Sequence, residues 1–357
     1  MERKGMAIDR EAWERAGRML ASWRRPLLLS HVRPDGDAVG AMAAVSCLCR
    51  GFGARPLAVS YEDPPARYRE ITGRELFAAW RGDEIAAQAD GILIVDTCSW
   101  QQLEPVAGFL RRSPLRRIVV DHHKTRDALA DDAAVPAPVA EYLVDASASA
   151  ASLLVYEWAR TMGWKLGAEA AEALFVGIAT DTGWFRFSNT DTRTLTAAAG
   201  LLAEGVRPDR WYAALYESTS PARTRLEGAM LSSVCVGEEG RLVWSVLTRE
   251  MFAAAGASPA DTEDLIQDLQ RIAGVVVSVL FVEEPGGRIR ASLRSKAPHV
   301  CGADVDVAAI AGLFGGGGHA RAAGARLDGP VAAAQERVLH AVRCALQAGH
   351  GAARRDP

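Results

Sequence analysis

The chain has 357 residues, 49% hydrophobic and 24% charged, with 41 Lys and Arg against 44 Asp and Glu and a formal net charge of −3. That length suggests about two domains with sizeable cores. The balanced charge argues against a general binder of long nucleic acid, which is normally basic, and leaves room for a local basic cleft around a short anionic ligand. No run reaches the roughly 18 apolar residues that span a bilayer, and the N-terminus lacks the apolar segment of a signal peptide. A cytoplasmic protein without membrane association is expected.

Residues 7–24 predict an amphipathic helix, with Trp13, Met19, Leu20 and Trp23 at helical spacing. The apolar run Pro26–Ser30 predicts a buried strand. It bends at Pro34 and Gly36 and rises into a helix over Ala38–Cys49, so His31, Asp35 and Asp37 gather in one small volume. A strand at Arg55–Ser60, a turn at Glu62–Pro65 and a helix within Thr72–Trp80 follow. From Gly91 to Asp145 the pattern alternates strand, helix, strand, strand, which supports a parallel sheet. Within it Ile92–Val95 runs into Asp96, and Arg117–Val120 runs into Asp121-His122-His123. Arg111, Arg112, Arg116 and Arg117 read as a solvated helix end. Ser147–Met162 and Ala168–Ala179 read as helices, and the apolar segment 174–178 leads to Asp181. The aromatics of Trp184-Phe185-Arg186-Phe187 read as core packing, with stacking on a base as the second reading.

Further helices are predicted at Thr192–Leu202 and Pro208–Glu217. Strands at Leu242–Val246, Val275–Val282 and Arg288–Leu293, the last two joined by a Gly286-Gly287 turn, combine with helices at Asp261–Ile272, Val305–Leu313 and Val331–Leu346 into a smaller α/β domain. The six cysteines (Cys47, Cys49, Cys98, Cys235, Cys301, Cys344) form no CxxC pair and read as reduced, mostly buried thiols.

The four segments that carry ligand-type residues are read as lying in register at the carboxyl ends of strands, where ligands bind in open α/β sheets. Taken singly, an Asp in such a place is more often a helix cap. Together they bring five Asp and three His, and imidazole with carboxylate suits Mn, Fe, Co or Zn better than Ca.

On these motifs the chain resembles the DHH phosphoesterases, named for the triplet seen here at Asp121-His122-His123. The likeness covers nearly the whole chain. Gly315-Gly316-Gly317-Gly318-His319, preceded by Ser292-Leu293-Arg294-Ser295, is similar to the family's associated C-terminal domain. That pairing points to the branch of nanoRNases (oligoribonucleases) and phosphatases of pAp, 3′-phosphoadenosine 5′-phosphate.

The resemblance implies an α/β fold: a parallel-sheet DHH domain with helices on both faces, a helical linker and a smaller α/β substrate-binding domain. The boundaries expected are an N-terminal helix at 1–24, the catalytic domain at 25–189, the linker at 190–227, the substrate-binding domain at 228–348 and a flexible tail at 349–357. It implies two divalent metal ions, Mn before Mg or Co, with Asp96 bridging them. His31 and Asp35 would complete the first, and Asp37, His122 and Asp181 the second. Asp121 would orient an imidazole, and His123 would face the phosphate. Gly315, Gly316, Gly317 and Gly318 would cradle an anion with their N–H groups, beside charge-assisted contacts from His319 and Arg294.

The implied activity is hydrolysis of short RNA oligonucleotides to mononucleotides and of pAp to AMP, with room for a homodimer. The alternatives are a phosphodiesterase of linear or cyclic dinucleotides and a single-strand exonuclease. A nucleotide sensor built on a dead site is a third, which the intact ligand set opposes. Ala41 in place of a small serine, the missing arginine in Cys98–Gln102, and a loop after His123 without the usual Asn and Phe depart from the pattern but remove no expected ligand.

Overall fold

The computed structural model describes residues 8–61, 68–72, 77–123, 127, 129, 140–262 and 264–352, with the backbone alone for 69, 72, 319 and 348–352. The chain divides into two compact units, Met1–Ser218 and Thr219–Pro357.

In the first unit β1 (Pro26–Leu29), β2 (Leu57–Ser60), β3 (Phe77–Ala79), β4 (Gly91–Val95), β5 (Arg117–Asp121) and β6 (Ala140–Val144) form one sheet. Its order is β3-β2-β1-β4-β5-β6 and every pair is parallel. The order reverses between β1 and β4, the position at which such sheets open a crevice at their carboxyl ends. Every residue of β1, β4 and β5 is buried, as expected of parallel strands covered on both faces. The helices are α1 (Arg10–Ser22), α2 (Gly36–Gly51), α3 (Arg69–Thr72), α4 (Glu104–Arg112), α5 (Ala151–Thr161), α6 (Ala168–Asp181), α7 (Thr192–Ala203) and α8 (Pro208–Tyr216). Leu28, Leu93, Ile118 and Val120 face a core shared with α1, α2, α5 and α6. Leu27, Ile92, Ile94 and Val119 face the other side, against Val106 and Leu110 of α4.

The second unit has α9 (Pro221–Ser232), β7 (Cys235–Gly237), β8 (Leu242–Leu247), α10 (Arg249–Ala255), α11 (Ile266–Gln270), β9 (Val277–Glu283), β10 (Ile289–Ser295), α12 (Pro298–Cys301), α13 (Val307–Gly312), β11 (Gly317–His319), β12 (Ala322–Leu327) and α14 (Val331–Ala352). Its sheet runs β11-β12-β10-β9-β8-β7, antiparallel except for the β8–β9 pair. Of the segment 190–227, α7 and α8 bury Ala197, Leu201, Trp211 and Leu215 in the first unit's core. Leu226 and Met230 of α9 join a core of the second unit.

Several elements differ from expectation. The stretch 174–178 is the buried middle of α6, not the lead-in to a strand end; a short apolar run enclosed on all sides carries no period that separates helix from strand. In Thr72–Trp80 the expected helix gives way to a strand at Phe77–Ala79, which pairs in parallel with β2, so the backbone hydrogen bonds of the sheet override local preference. The turn at 62–65 lies outside the described residues. The predicted helix Asp261–Ile272 is broken by Asp264, whose φ is +62°. Arg117 is buried rather than solvated, and its guanidinium donates to the carbonyls of Leu110, Ser113 and Leu129. The last helix runs on to Ala352, beyond the predicted end at Leu346. All six cysteines are free, with Cys235 and Cys344 exposed. Among the described residues no helix is long and apolar enough to cross a membrane.

Candidate metal centre

His31 leaves the end of β1 and Asp35 caps α2, its Oδ1 accepting from Asp37 N at 3.0 Å and Ala38 N at 3.1 Å. Asp37 is the second residue of α2 and is buried. It accepts from the backbone of Ala151 at 2.6 Å and Ser152 at 2.8 Å, and so caps α5 from 114 and 115 residues away. Asp96 follows β4 in the left-handed region at φ +59°, with its N–H bound to Val120 O at 2.9 Å.

These residues converge on Asp96. His31 Nε2 lies 3.3 Å from its Oδ2, and His122 Nε2 lies 3.3 Å from its Oδ1. His122 Nε2 is also 3.8 Å from both Asp37 Oδ2 and Asp181 Oδ2. Ligand atoms fall within 4.8 Å of one another in three groups: His31, Asp35 and Asp96; Asp37, His122 and Asp181; and Asp96, His122 and His123.

Both inward-facing imidazoles are held from behind. His31 Nδ1 donates to Val32 O at 2.8 Å and His122 Nδ1 to Ala148 O at 3.2 Å. A carbonyl accepts only, so each Nε2 is left to present its lone pair to a cation. Asp121 Oδ1 takes the N–H groups of His122 and His123 and the Nδ1 of His123, the last at 2.7 Å. Asp121 therefore fixes His123, while Ala148 fixes His122.

The electrostatics call for positive charge. Burial opposes ionisation of Asp96, but the two imidazoles outweigh it and hold the carboxyl well below its usual range. Burial also works against imidazolium at His31 and His122, yet the facing carboxylates push them up to about 9 and about 10. Asp181 is raised to about 7 by burial and by Asp96, against the pull of His122. Asp37 is likewise raised, by burial and then by Asp96. Asp96 Oδ1 and Asp121 Oδ2 are buried without a hydrogen-bond partner. A buried carboxylate oxygen among imidazole nitrogens and further carboxylates fits a divalent cation of intermediate softness.

Two contributors carried no sequence signal of their own. Asn189 Nδ2 donates to Asp181 O at 3.2 Å and to Ser149 O at 3.1 Å, tying the end of α6 to the start of α5. Gln102 accepts from Thr97 through Oε1 at 2.6 Å and from Val32 N through its carbonyl at 2.9 Å, linking the loops after β1 and β4.

In the second unit Arg294 is half-buried on β10. Burial pulls its guanidinium below the ordinary value, with Asp264 opposing. Arg294 and His319 both stand opposite Ala322, on either side of β12; the side chain of His319 lies outside the described residues. The glycine run is less open than a four-membered cradle. Gly315 N and Gly316 N already donate to Gly312 O and Ala311 O, at 3.1 and 3.0 Å. A Cβ at Gly316 would meet Gly324 O at 2.2 Å, and one at Gly318 would meet Ala322 O at 2.5 Å. Close approach of β12 thus requires glycine at both positions.

The chain matches the DHH family, N-terminal domain, over residues 27–178 and the DHHA1 domain over residues 243–348. It is 31% identical over 348 residues to the bifunctional oligoribonuclease and PAP phosphatase NrnA of Thermus thermophilus, a match that covers 95% of this chain and 97% of that one. The protein of the same name from Bacillus subtilis is 29% identical over 310 residues, covering 84% and 88%. In fold the chain is similar to an exopolyphosphatase-related protein from Bacteroides fragilis, with a TM-score of 0.85 at 22% identity over 98% of this chain and 99% of that one. With both domains matched in order and almost its full length shared with such a relative, the chain belongs to the DHH phosphoesterase family, in the branch of the NrnA oligoribonucleases and PAP phosphatases.

Proposed function

We propose that the protein is a divalent-metal phosphohydrolase that cleaves short oligoribonucleotides to mononucleotides and releases phosphate from pAp to give AMP. The observation that carries this reading is the convergence of His31, Asp35, Asp37, His122 and Asp181 around Asp96, whose buried carboxylate has an imidazole Nε2 3.3 Å from each oxygen. His31, Asp35 and Asp96 would hold one cation. Asp37, His122 and Asp181 would hold the other, sharing Asp96. Mn is the first candidate for a mixed imidazole and carboxylate set, with Mg and Co behind it. Cations bound there supply positive charge to the phosphoryl oxygens and lower the pKa of an attacking water.

The remaining groups act on the substrate. The Asp121 hydrogen bond holds up the His123 pKa against burial, which favours a proton on the imidazole for the leaving oxygen. Arg294 would pair with a phosphate, as would His319 from the strand on the other side of β12. The sequence relationship to the NrnA proteins supports the substrate class.

Product analysis with Mn added tests the reading, on pAp, a dinucleotide, a cyclic dinucleotide and an RNA of about twenty nucleotides. Mononucleotides from the dinucleotide and AMP from pAp are expected. Turnover confined to the cyclic dinucleotide, or to the long RNA, would overturn it in favour of a signalling phosphodiesterase or an exonuclease.

A further inference from the structure

The loop that follows Asp181 has features that metal binding leaves unexplained. Gly183, Trp184 and Phe185 are consecutive left-handed residues, at φ +55°, +57° and +62°, a conformation unfavourable for the two aromatics. Trp184 and Phe185 turn inward, their ring centroids 5.9 and 6.0 Å from that of Phe175. Phe187 does the reverse. Its ring lies across Gly183, where an added Cβ would meet it at 2.4 Å, and yet it is 51% exposed. Ordinary core packing accounts for the first two rings and not for the third.

The loop is also well fixed. Arg186 N and Phe187 N both donate to Thr182 O at 3.0 Å, one residue beyond Asp181, and Thr190 N donates to Phe187 O at 3.0 Å. Asn189 closes the loop back onto Asp181 O. The Arg186 side chain spends Nε on Gly183 O at 2.7 Å, and its guanidinium carbon stands 5.7 Å from the Phe187 ring centroid. Its terminal nitrogens have no partner among the described residues.

We infer that Arg186 and Phe187 form a nucleotide contact site beside the metal cluster, Phe187 stacking on a base and Arg186 pairing with a phosphate. An exposed, rigidly backed ring offers a flat apolar face to any base. A guanidinium with its fork open, on the same loop, suits a phosphate oxygen. The inference rests on the nucleotide substrate proposed above, and it places part of the substrate grip in the same unit as the metal cluster.

The test uses the full chain and a methylene-phosphonate dinucleotide, which keeps the phosphate charge and resists hydrolysis, together with its analogue lacking both bases. Dissociation constants are measured by calorimetry for the unsubstituted protein, Phe187→Leu, Phe187→Trp and Arg186→Gln. Phe187→Leu should weaken the base-bearing ligand by roughly 5- to 100-fold and leave the abasic ligand unchanged, while Phe187→Trp restores binding. Arg186→Gln should weaken both ligands by roughly tenfold to a hundredfold. If Phe187→Leu weakened both ligands alike, or neither, the stacking site would be wrong. Unchanged binding of both ligands by Arg186→Gln would remove the phosphate contact. Base-dependent binding by a chain that hydrolyses no oligonucleotide would overturn the proposed function and leave this site standing. Normal hydrolysis with base-independent binding would overturn this site alone.

Discussion

Asp96 stands at the meeting point of the cluster, and its backbone shows how it is aimed. A left-handed non-glycine residue costs on the order of 1 kcal/mol or more, and here the bond from its N–H to Val120 O holds it at the end of a fully buried strand. Asp96→Asn should leave the fold intact, lower metal content and abolish turnover of every phosphate ester; near-normal activity in a folded, metal-replete variant would sink the shared-ligand assignment. The imidazoles make a second prediction. Held up to about 9 and about 10, His31 and His122 are protonated near neutral pH in the metal-free chain. A cation must displace those protons to reach Nε2. Mn binding at about pH 7.5 should therefore release protons and weaken as pH falls, seen as a calorimetric heat that varies with buffer ionisation enthalpy. A heat independent of buffer would contradict the protonated resting state.

Away from the cluster, Arg193 bonds Asp145 at 2.6 Å and also pairs with Glu157. Burial opposes ionisation of Asp145, but its bonds from Ser147 and Arg193 prevail and lower its pKa. A lowered folded pKa means stability that is fully present above the unfolded value of about 3.9 and lost as pH falls through the folded one. Arg193→Met should leave the Asp145 carboxylate with only its bonds from Ser147, cost on the order of 1 to 3 kcal/mol by denaturant unfolding and blunt this acid-dependent loss.

At the scale of elements, the crossing of α2 and α6 decides where Asp181 ends up. A Cβ on Gly40 would meet Ala173 O at 2.4 Å, and one on Gly177 would meet Ser152 Oγ at 2.0 Å and Asp37 Oδ1 at 3.0 Å. Glycines at these contacts let the two helix backbones approach closely enough for the end of α6 to reach the start of α2. Gly40→Ala should cost roughly 1 to 3 kcal/mol through overpacking against backbone, read as a lower Tm, and should weaken metal binding by moving Asp181 away from Asp37. A variant with unchanged stability and unchanged metal affinity would show that the contact relaxes freely.

For the whole molecule, charge sets the expected substrate length. The chain carries 41 Lys and Arg against 44 Asp and Glu, and each phosphate held along a basic groove would add affinity and salt dependence. With no long basic run in the sequence, added nucleotides should gain little. At fixed moderate salt kcat/KM should be at least as high for a dinucleotide as for a pentanucleotide, and lower for an RNA of about twenty nucleotides. Faster processive degradation of the longest RNA would refute this.

What the sequence by itself determined is local. Apolar runs of strand length ending in Asp or His placed β1, β4 and β5 and the donors after them, because burial of a parallel strand leaves a continuous apolar stretch and the turn beyond it is free to be polar. It also located β8, β9, β10 and the Gly286-Gly287 turn, but not β12, whose mostly small residues, Ala322–Leu327, pair with β10. The apolar run 174–178 also pointed to Asp181, but as the residue beyond a strand end, whereas it sits at the end of a helix. Tertiary structure alone decided which donors share a neighbourhood. Asp37 caps α5 from more than a hundred residues away, Asn189 ties Asp181 to Ser149, and two N–H groups of the glycine run are spent on the end of α13. Such pairings leave no local trace, because each depends on a partner brought near only when buried faces pack, and that packing sets which groups are left to face a cation or a substrate.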